Sequence, residues 1–208
     1  STSVANNGAC GAGIQTAGLY FMGTTSPHAQ TEEYNGTGWA SGNAVNTARK
    51  NAAGCGTQTA GIGMGGYRPG ASYPGSNALT NLVESYDGTS WTEVGDLNTA
   101  RNSLCGFGTS TATVASNGNT DVPGSTSTSN TEEFDGSSWT EGNDLNTARQ
   151  DLGGTGAGTQ TAGLMAAGNV KAGGTTTKQL CESYNGTSWS EESDLGTARY
   201  YTGIIGAQ

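Results

Sequence analysis

The sequence predicts an all-β fold built from four copies of one four-stranded unit, arranged as a small propeller. Three observations carry that expectation: a repeat of about 50 residues, an unusual share of glycine, and Asn-Gly or Asp-Gly turns with no helical period between them. Each is taken in turn.

The repeat is plain. Four segments read T-E-E-Y-N-G-T-G-W (31–39), V-E-S-Y-D-G-T-S-W (83–91), T-E-E-F-D-G-S-S-W (131–139) and C-E-S-Y-N-G-T-S-W (181–189). Trp39, Trp91, Trp139 and Trp189 stand 52, 48 and 50 residues apart. Ten residues after each Trp an Arg ends the tripeptide Thr-Ala-Arg: Arg49, Arg101, Arg149 and Arg199. Two residues before each Tyr34, Tyr86, Phe134 and Tyr184 stands a Glu: Glu32, Glu84, Glu132 and Glu182. Spacing inside this block never varies, so all length variation falls elsewhere in the unit. A fixed period of this length is the mark of a repeat architecture.

Glycine supplies 36 of the 208 residues, against an ordinary share of about 7%. Only 4 residues are Pro and no Gly-X-Y period appears, which excludes collagen. Hydrophobic residues are 32%, a figure that suits many short strands with small side chains. After each Arg comes a Gly/Ala-rich stretch such as Lys50–Cys55, a short turn such as Gly56-Thr57-Gln58, and a second strand such as Thr59–Gly66. A variable loop then leads to a third strand, Asn81–Tyr86 in the second unit. The dipeptides Asn35-Gly36 and Asp87-Gly88 tolerate φ > 0 and signal a tight hairpin to a fourth strand that begins near Trp91. No stretch keeps a 3.6-residue apolar period over three turns, so almost no helix is expected.

Four strands in about 50 residues, repeated around a ring, gives a propeller of four blades. The units run over about 5–49, 50–101, 102–149 and 150–199. Candidate first strands number five, however: about 5–14, 50–57, 102–109, 150–158 and 200–208. A closed ring needs four, so either terminus can complete the first blade. The surplus strand, taken as 200–208, is then a closing strand or one exchanged with a neighbouring subunit. Near the axis small residues let inner strands crowd together, while each outer aromatic pair, such as Tyr86 with Trp91, covers the gap between blades.

Gly65-Gly66, Glu84, Tyr86, Asp87, Trp91 and Arg101 occur in an order that resembles the kelch repeat. The resemblance covers nearly all of the chain in four copies and implies a β-propeller. The chain departs from it where the Gly doublet becomes Met22-Gly23, Asn117-Gly118 and Ala167-Gly168, and where Gly and Ala replace bulky inner-strand residues. The run T-E-E-[YF]-[DN]-G-[ST]-S-W-T-E with D-L-N-T-A-R is also similar to the kelch-like repeats of structural and tail proteins of bacteriophages and marine microbes. That likeness implies a virion or extracellular setting.

Chemistry is sparse. The net charge of −9 and eight Lys plus Arg give no footprint for nucleic acid or an anionic membrane surface. No apolar run approaches the ~20 residues of a membrane-spanning helix. The start, Ser1-Thr2-Ser3-Val4, shows neither a signal peptide nor an initiator Met, as in a chain that is processed, trimmed or part of something longer. Cys10, Cys55, Cys105 and Cys181 form no C-x-x-C pair, and a single His28 leaves zinc spacings unmet. The cysteines read as small buried strand residues, with a disulfide of undetermined pairing the alternative. Galactose oxidase, a kelch-fold enzyme, would need two histidine ligands for copper, so His28 reads as a solvated loop residue. The segment 85–91 resembles the Asp-box of sialidase propellers but is one residue shorter between Asp and Trp. A calcium loop would need an oxygen spacing that Asp87, Asp96, Asp135 and Asp144 lack. Two N-x-T sequons, at Asn35 and Asn185, lie on the turns.

No catalytic residue, cofactor or metal is therefore expected. The recurring Glu and Arg read as a bridge tying strand three to the exit of strand four. Binding, where present, belongs to the loops joining strands two and three (24–30, 67–80, 119–130, 169–179), which share a face with the Thr-Ala-Arg exits. There Tyr67, Arg68 and Tyr73 are the candidates. Two functions follow: a structural or assembly protein whose partners are other protein subunits, or a recognition module for a surface glycan or receptor. An enzyme comes third.

Overall fold

A computed structural model of the chain describes residues 8–23, 28–68, 79–121, 126–152, 156–171 and 176–204. They are all-β, with no helix among them. Four antiparallel four-stranded sheets follow one another along the chain. The first holds β1 (Cys10–Ile14), β2 (Ala17–Phe21), β3 (Thr31–Tyr34) and β4 (Trp39–Ser41). The second holds β5 (Ala53–Thr57), β6 (Ala60–Met64), β7 (Val83–Tyr86) and β8 (Trp91–Glu93). The third holds β9 (Cys105–Thr109), β10 (Ala112–Ser116), β11 (Thr131–Phe134) and β12 (Trp139–Glu141). In the fourth unit a short ribbon, β15 (Asn169–Val170) with β16 (Thr176–Thr177), interrupts β13 (Ala157–Thr159), β14 (Ala162–Ala166), β17 (Cys181–Tyr184) and β18 (Trp189–Glu192). Each sheet is thus a simple meander of neighbours in sequence.

The turn chemistry explains the meander. In the β3–β4 hairpin and its counterparts, Asn35, Asp87, Asp135 and Asn185 turn their Oδ1 back to accept the backbone N–H groups two and three residues on, at 2.8–3.0 Å. The Gly that follows each lies at φ +88 to +96°, where a side chain is strained. These hairpins set Tyr34 against Trp39, Tyr86 against Trp91, Phe134 against Trp139 and Tyr184 against Trp189. Their ring centroids lie 4.8–5.2 Å apart, a contact worth about 0.5–1.5 kcal/mol beyond the area it buries.

The core sits between sheets. Cys10, Leu19, Phe21 and Met22 of the first sheet pack with Tyr86 and Trp91 of the second. Ile62 and Met64 of the second pack with Phe134 and Trp139 of the third. Phe107 and Val114 of the third pack with Tyr184 and Trp189 of the fourth. Glycine makes this possible. A Cβ on Gly54 would lie 2.5 Å from Phe21 Cζ, and one on Gly163 2.1 Å from Phe107 Cε2. The large side chains of one sheet therefore fill hollows that only glycine leaves in the next.

The sheets form a propeller-like row that is not closed. Strand β1 packs on β5, β5 on β9 and β9 on β13, with no comparable packing of β13 on β1. A backbone ladder marks the same path: Asn51 donates to Gly8 O, Ser103 to Asn51 O, Asp151 to Ser103 O and Tyr201 to Asp151 O, at 2.7–3.1 Å. Asn51, Ser103, Asp151 and Tyr201 all take positive φ at these steps. Strand β1 completes its own sheet by following directly into β2. In the expected fifth strand, residues 200–204 form no strand and 205–208 lie outside the described residues.

Candidate functional site

The recurring block of each of the first three units converges on one carboxylate of the next. Arg49 lies 2.9 Å from Glu84, Arg101 3.0 Å from Glu132 and Arg149 2.7 Å from Glu182, all six side chains withdrawn from water. The backbone N–H groups of Asn46, Asn98 and Asn146 donate to the second oxygen of the same three carboxylates at 2.6–2.8 Å. The Arg-Glu bridge therefore joins the strand-four exit of one unit to strand three of the following unit. This accounts for the fixed spacing of N-T-A-R: a single turn delivers both its amides and its guanidinium to one acceptor.

Each guanidinium also reaches the backbone. Arg149 Nη1 donates to Ala167 O at 3.0 Å and Leu180 O at 2.8 Å, and Arg101 donates to Asn130 O and Ala115 O. Among the described residues the Nε of all three arginines has no acceptor. Burial pulls their pKa below the usual guanidinium value, and the partner Glu pulls it back up. A charge so enclosed holds neighbours together and is not free for substrate. Arg199, at the same sequence position, is exposed.

Residues beyond the recurrent set join the same junctions. Trp91 and Trp189 donate through Nε1 to Thr31 and Thr131 of the preceding unit at 2.9 and 3.0 Å. Tyr86 and Tyr184 give their hydroxyls to Glu33 and Glu133, and burial followed by that carboxylate holds both phenols above their ordinary pKa. The third unit carries Phe134, which has no hydroxyl, and the unit before it carries Ser85 in place of the Glu. The alternation of T-E-E with x-E-S was the signal for these contacts. Gln58 Nε2 reaches back to Gly18 O and Tyr34 O, and Gln160 Nε2 to Thr113 O and Phe134 O.

The residues that lead from strand two into the variable loops lie beside the Thr-Ala-Arg exits. Gly23, Gly66, Gly118 and Gly168 donate to the carbonyls of Arg49, Arg101, Arg149 and Arg199 at 2.8–3.0 Å. These glycines have φ of +97 to +118°. A Cβ on Gly118 would meet Asn102 O at 2.7 Å, and one on Gly168 would meet Leu152 Cδ1 at 2.6 Å. The residue before each also has positive φ, but the left-handed value of 55–72° that Met22, Asn117 and Ala167 adopt. The second glycine therefore recurs in every unit, while the first is replaced in three, although a Cβ on Gly65 itself would lie 2.6 Å from Arg101 O.

Beyond the doublet, Lys50 bridges Tyr67, Asn102 bridges Asn119 and Gln150 bridges Asn169. Lys50 Nζ stands 5.2 Å from the centroid of the Tyr67 ring, Asn119 Nδ2 lies 3.2 Å from Asn102 Oδ1, and Asn169 Nδ2 lies 3.1 Å from Asp151. The result is a set of amides and one carboxylate with one cation–aromatic pair. Tyr67 is half-buried and Arg68 exposed, while Tyr73 lies outside the described residues. His28 is not freely solvated: it is half-buried, with Nδ1 3.0 Å from Gly23 O.

Cys10, Cys55, Cys105 and Cys181 are buried and unpaired strand residues. Burial pushes the first three thiols up to about 12, so they are poor nucleophiles at neutral pH. No family model matches the chain, and no curated protein matches it.

Proposed function

We propose that this chain is a non-catalytic structural module whose kelch-like units build an assembly, of a virion or an extracellular structure, through surfaces made by the repeat. The observation that supports this reading is the use of the polar repeat residues. Arg49, Arg101 and Arg149, with Glu84, Glu132 and Glu182, are committed to joining one sheet to the next. Side chains of the types that would do chemistry are spent on cohesion. The resemblance to phage and marine microbial repeats supports the setting.

The Lys50–Tyr67 pair with exposed Arg68 beside it favours a second reading, a recognition module for a glycan or receptor. Sedimentation velocity and glycan binding separate the two. Species heavier than one 20.9 kDa chain support assembly. A single-chain species with saturable sugar binding, lost in Tyr67→Ala and Arg68→Ala, replaces it with recognition.

A further inference from the structure

We propose that copies of this chain join head to tail, the fourth sheet of one against the first sheet of the next, through the packing that joins its own consecutive sheets. This deepens the assembly reading and rests on it. The contact is already built three times inside the chain, and the two ends of the row carry its two halves.

On the first sheet the receiving half is opened at its outer edge: Tyr34 and Trp39 are half-buried where Tyr86 and Trp91 are buried. A Cβ on Gly18 would meet nothing nearer than 3.5 Å, whereas one on its counterpart Gly61 would meet Leu19 Cδ2 of the preceding sheet at 2.7 Å. Gln15 is exposed, while its counterparts Gln58 and Gln160 clasp the preceding unit. On the fourth sheet the inserting half is open at Leu164, while Ala166 and Ala167 are buried. Leu164 is 37% exposed, against 2% or less for its counterparts Leu19, Ile62 and Val114. Arg199, whose three counterparts are buried on carboxylates of the next sheet, is exposed.

The sizes of the end residues also fit each other. Where the first sheet presents Phe21 and Met22, the second answers with Gly63, whose Cβ would lie 2.8–2.9 Å from their side chains. Where the third presents the smaller Ser116 and Asn117, the fourth answers with Met165, 3.9 Å from Asn117 Nδ2. The fourth sheet presents Ala166 and Ala167 at that place, and the first sheet carries Tyr20 at the answering one. The end pair thus repeats the small-against-large match of the third junction.

The tail stands in the way. Tyr201 N donates to Asp151 O at 2.7 Å, the place that Gly8 of a second copy takes when the ladder continues. Among the described residues this is the one backbone hydrogen bond holding 200–204 to the fourth unit, worth roughly 1 kcal/mol net. The five-residue β1 of an arriving copy, paired along its length with β2, displaces it. Gly196 replaces the Asn whose side chain spans the interior junctions, so the contact between copies is weaker than those within a chain and depends on concentration. Such a head-to-tail interface makes a ring where its rotation closes and a filament where it does not.

Light scattering after size exclusion tests this with two half-blocked variants. Leu164→Arg obstructs the inserting face, where Leu164 is 37% exposed, and Gly18→Arg the receiving face, where a Cβ meets only ordinary contacts at 3.5 Å or more. The wild-type mass is expected to rise above 20.9 kDa with concentration. Each variant alone is expected to stay at that mass, and their mixture to give a 1:1 dimer, which only folded partners can form. Removal of residues 201–208 is expected to move wild-type association to lower concentration. A mixture that stays monomeric overturns the contact, as does weaker association after the tail is removed. Variants that assemble like the wild type overturn it while leaving the assembly reading standing. A wild-type chain at monomer mass throughout overturns it together with self-assembly.

Discussion

Arg49, Arg101 and Arg149 share a sequence position with Arg199 but not an environment. The first three are buried on a carboxylate, and the fourth is in water. Removing one partner of a buried pair leaves the other charge without compensation, which costs about 3–5 kcal/mol. Arg101→Ala should lower the free energy of unfolding in denaturant by about that amount, because Glu132 is left enclosed. Arg199→Ala should change it by no more than about 0.5 kcal/mol. Equal losses in the two variants would rule out the account given of the junctions. The sequence named both partners of the bridge, since Glu and Arg recur once per unit. It did not show that they belong to neighbouring units, because their spacing within one unit is constant whichever Glu is met. The true pairs lie 35 and 33 residues apart for Arg49 and Arg149, and that variation tracks the loop lengths.

The hairpins at the element scale were legible almost to the residue, because each Asn-Gly or Asp-Gly fixes its turn through local bonds alone. Their acid response differs between units. The Asp135 carboxylate accepts from Ser138 N and Ser137 N, and these bonds hold it down at about 2. Asp87 is lowered likewise by Ser90 N and Thr89 N. An unfolded Asp titrates near ~3.9. The folded value is the lower one, so the stabilisation is present above about pH 4 and fades as pH falls towards 2. Asn35 and Asn185 make the same bonds without a charge. Replacing both Asp87 and Asp135 with Asn should therefore flatten the fall in thermal midpoint between pH 4 and 2. A profile identical to that of the wild type would count against it. The Gly doublets were half-legible. Their order was visible, but the crowding that keeps the second glycine in every unit lies in a distant turn, as where Asn102 O faces Gly118.

For the whole molecule, four units and four strands per unit followed from the period, and the sheets are as expected. Closure did not follow, because a repeat count says how many units there are and nothing about the rotation from one to the next. The core explains the open form: each apolar cluster spans two adjoining sheets, so the row is cohesive without returning to its start. The backbone ladder from Gly8 through Asn51, Ser103 and Asp151 to Tyr201 has a mechanical consequence. Units that touch only their neighbours yield separately, and under tension applied through the two chain ends these links come under load in series. Pulling a single molecule should give a sawtooth of successive ruptures, each releasing one repeat of 48–52 residues, or roughly 170 Å of contour at ~3.4 Å per residue. One rupture releasing the whole chain would mean that the units share their load. A staircase trace would mean that the chain lengthens in steps while most of it stays folded.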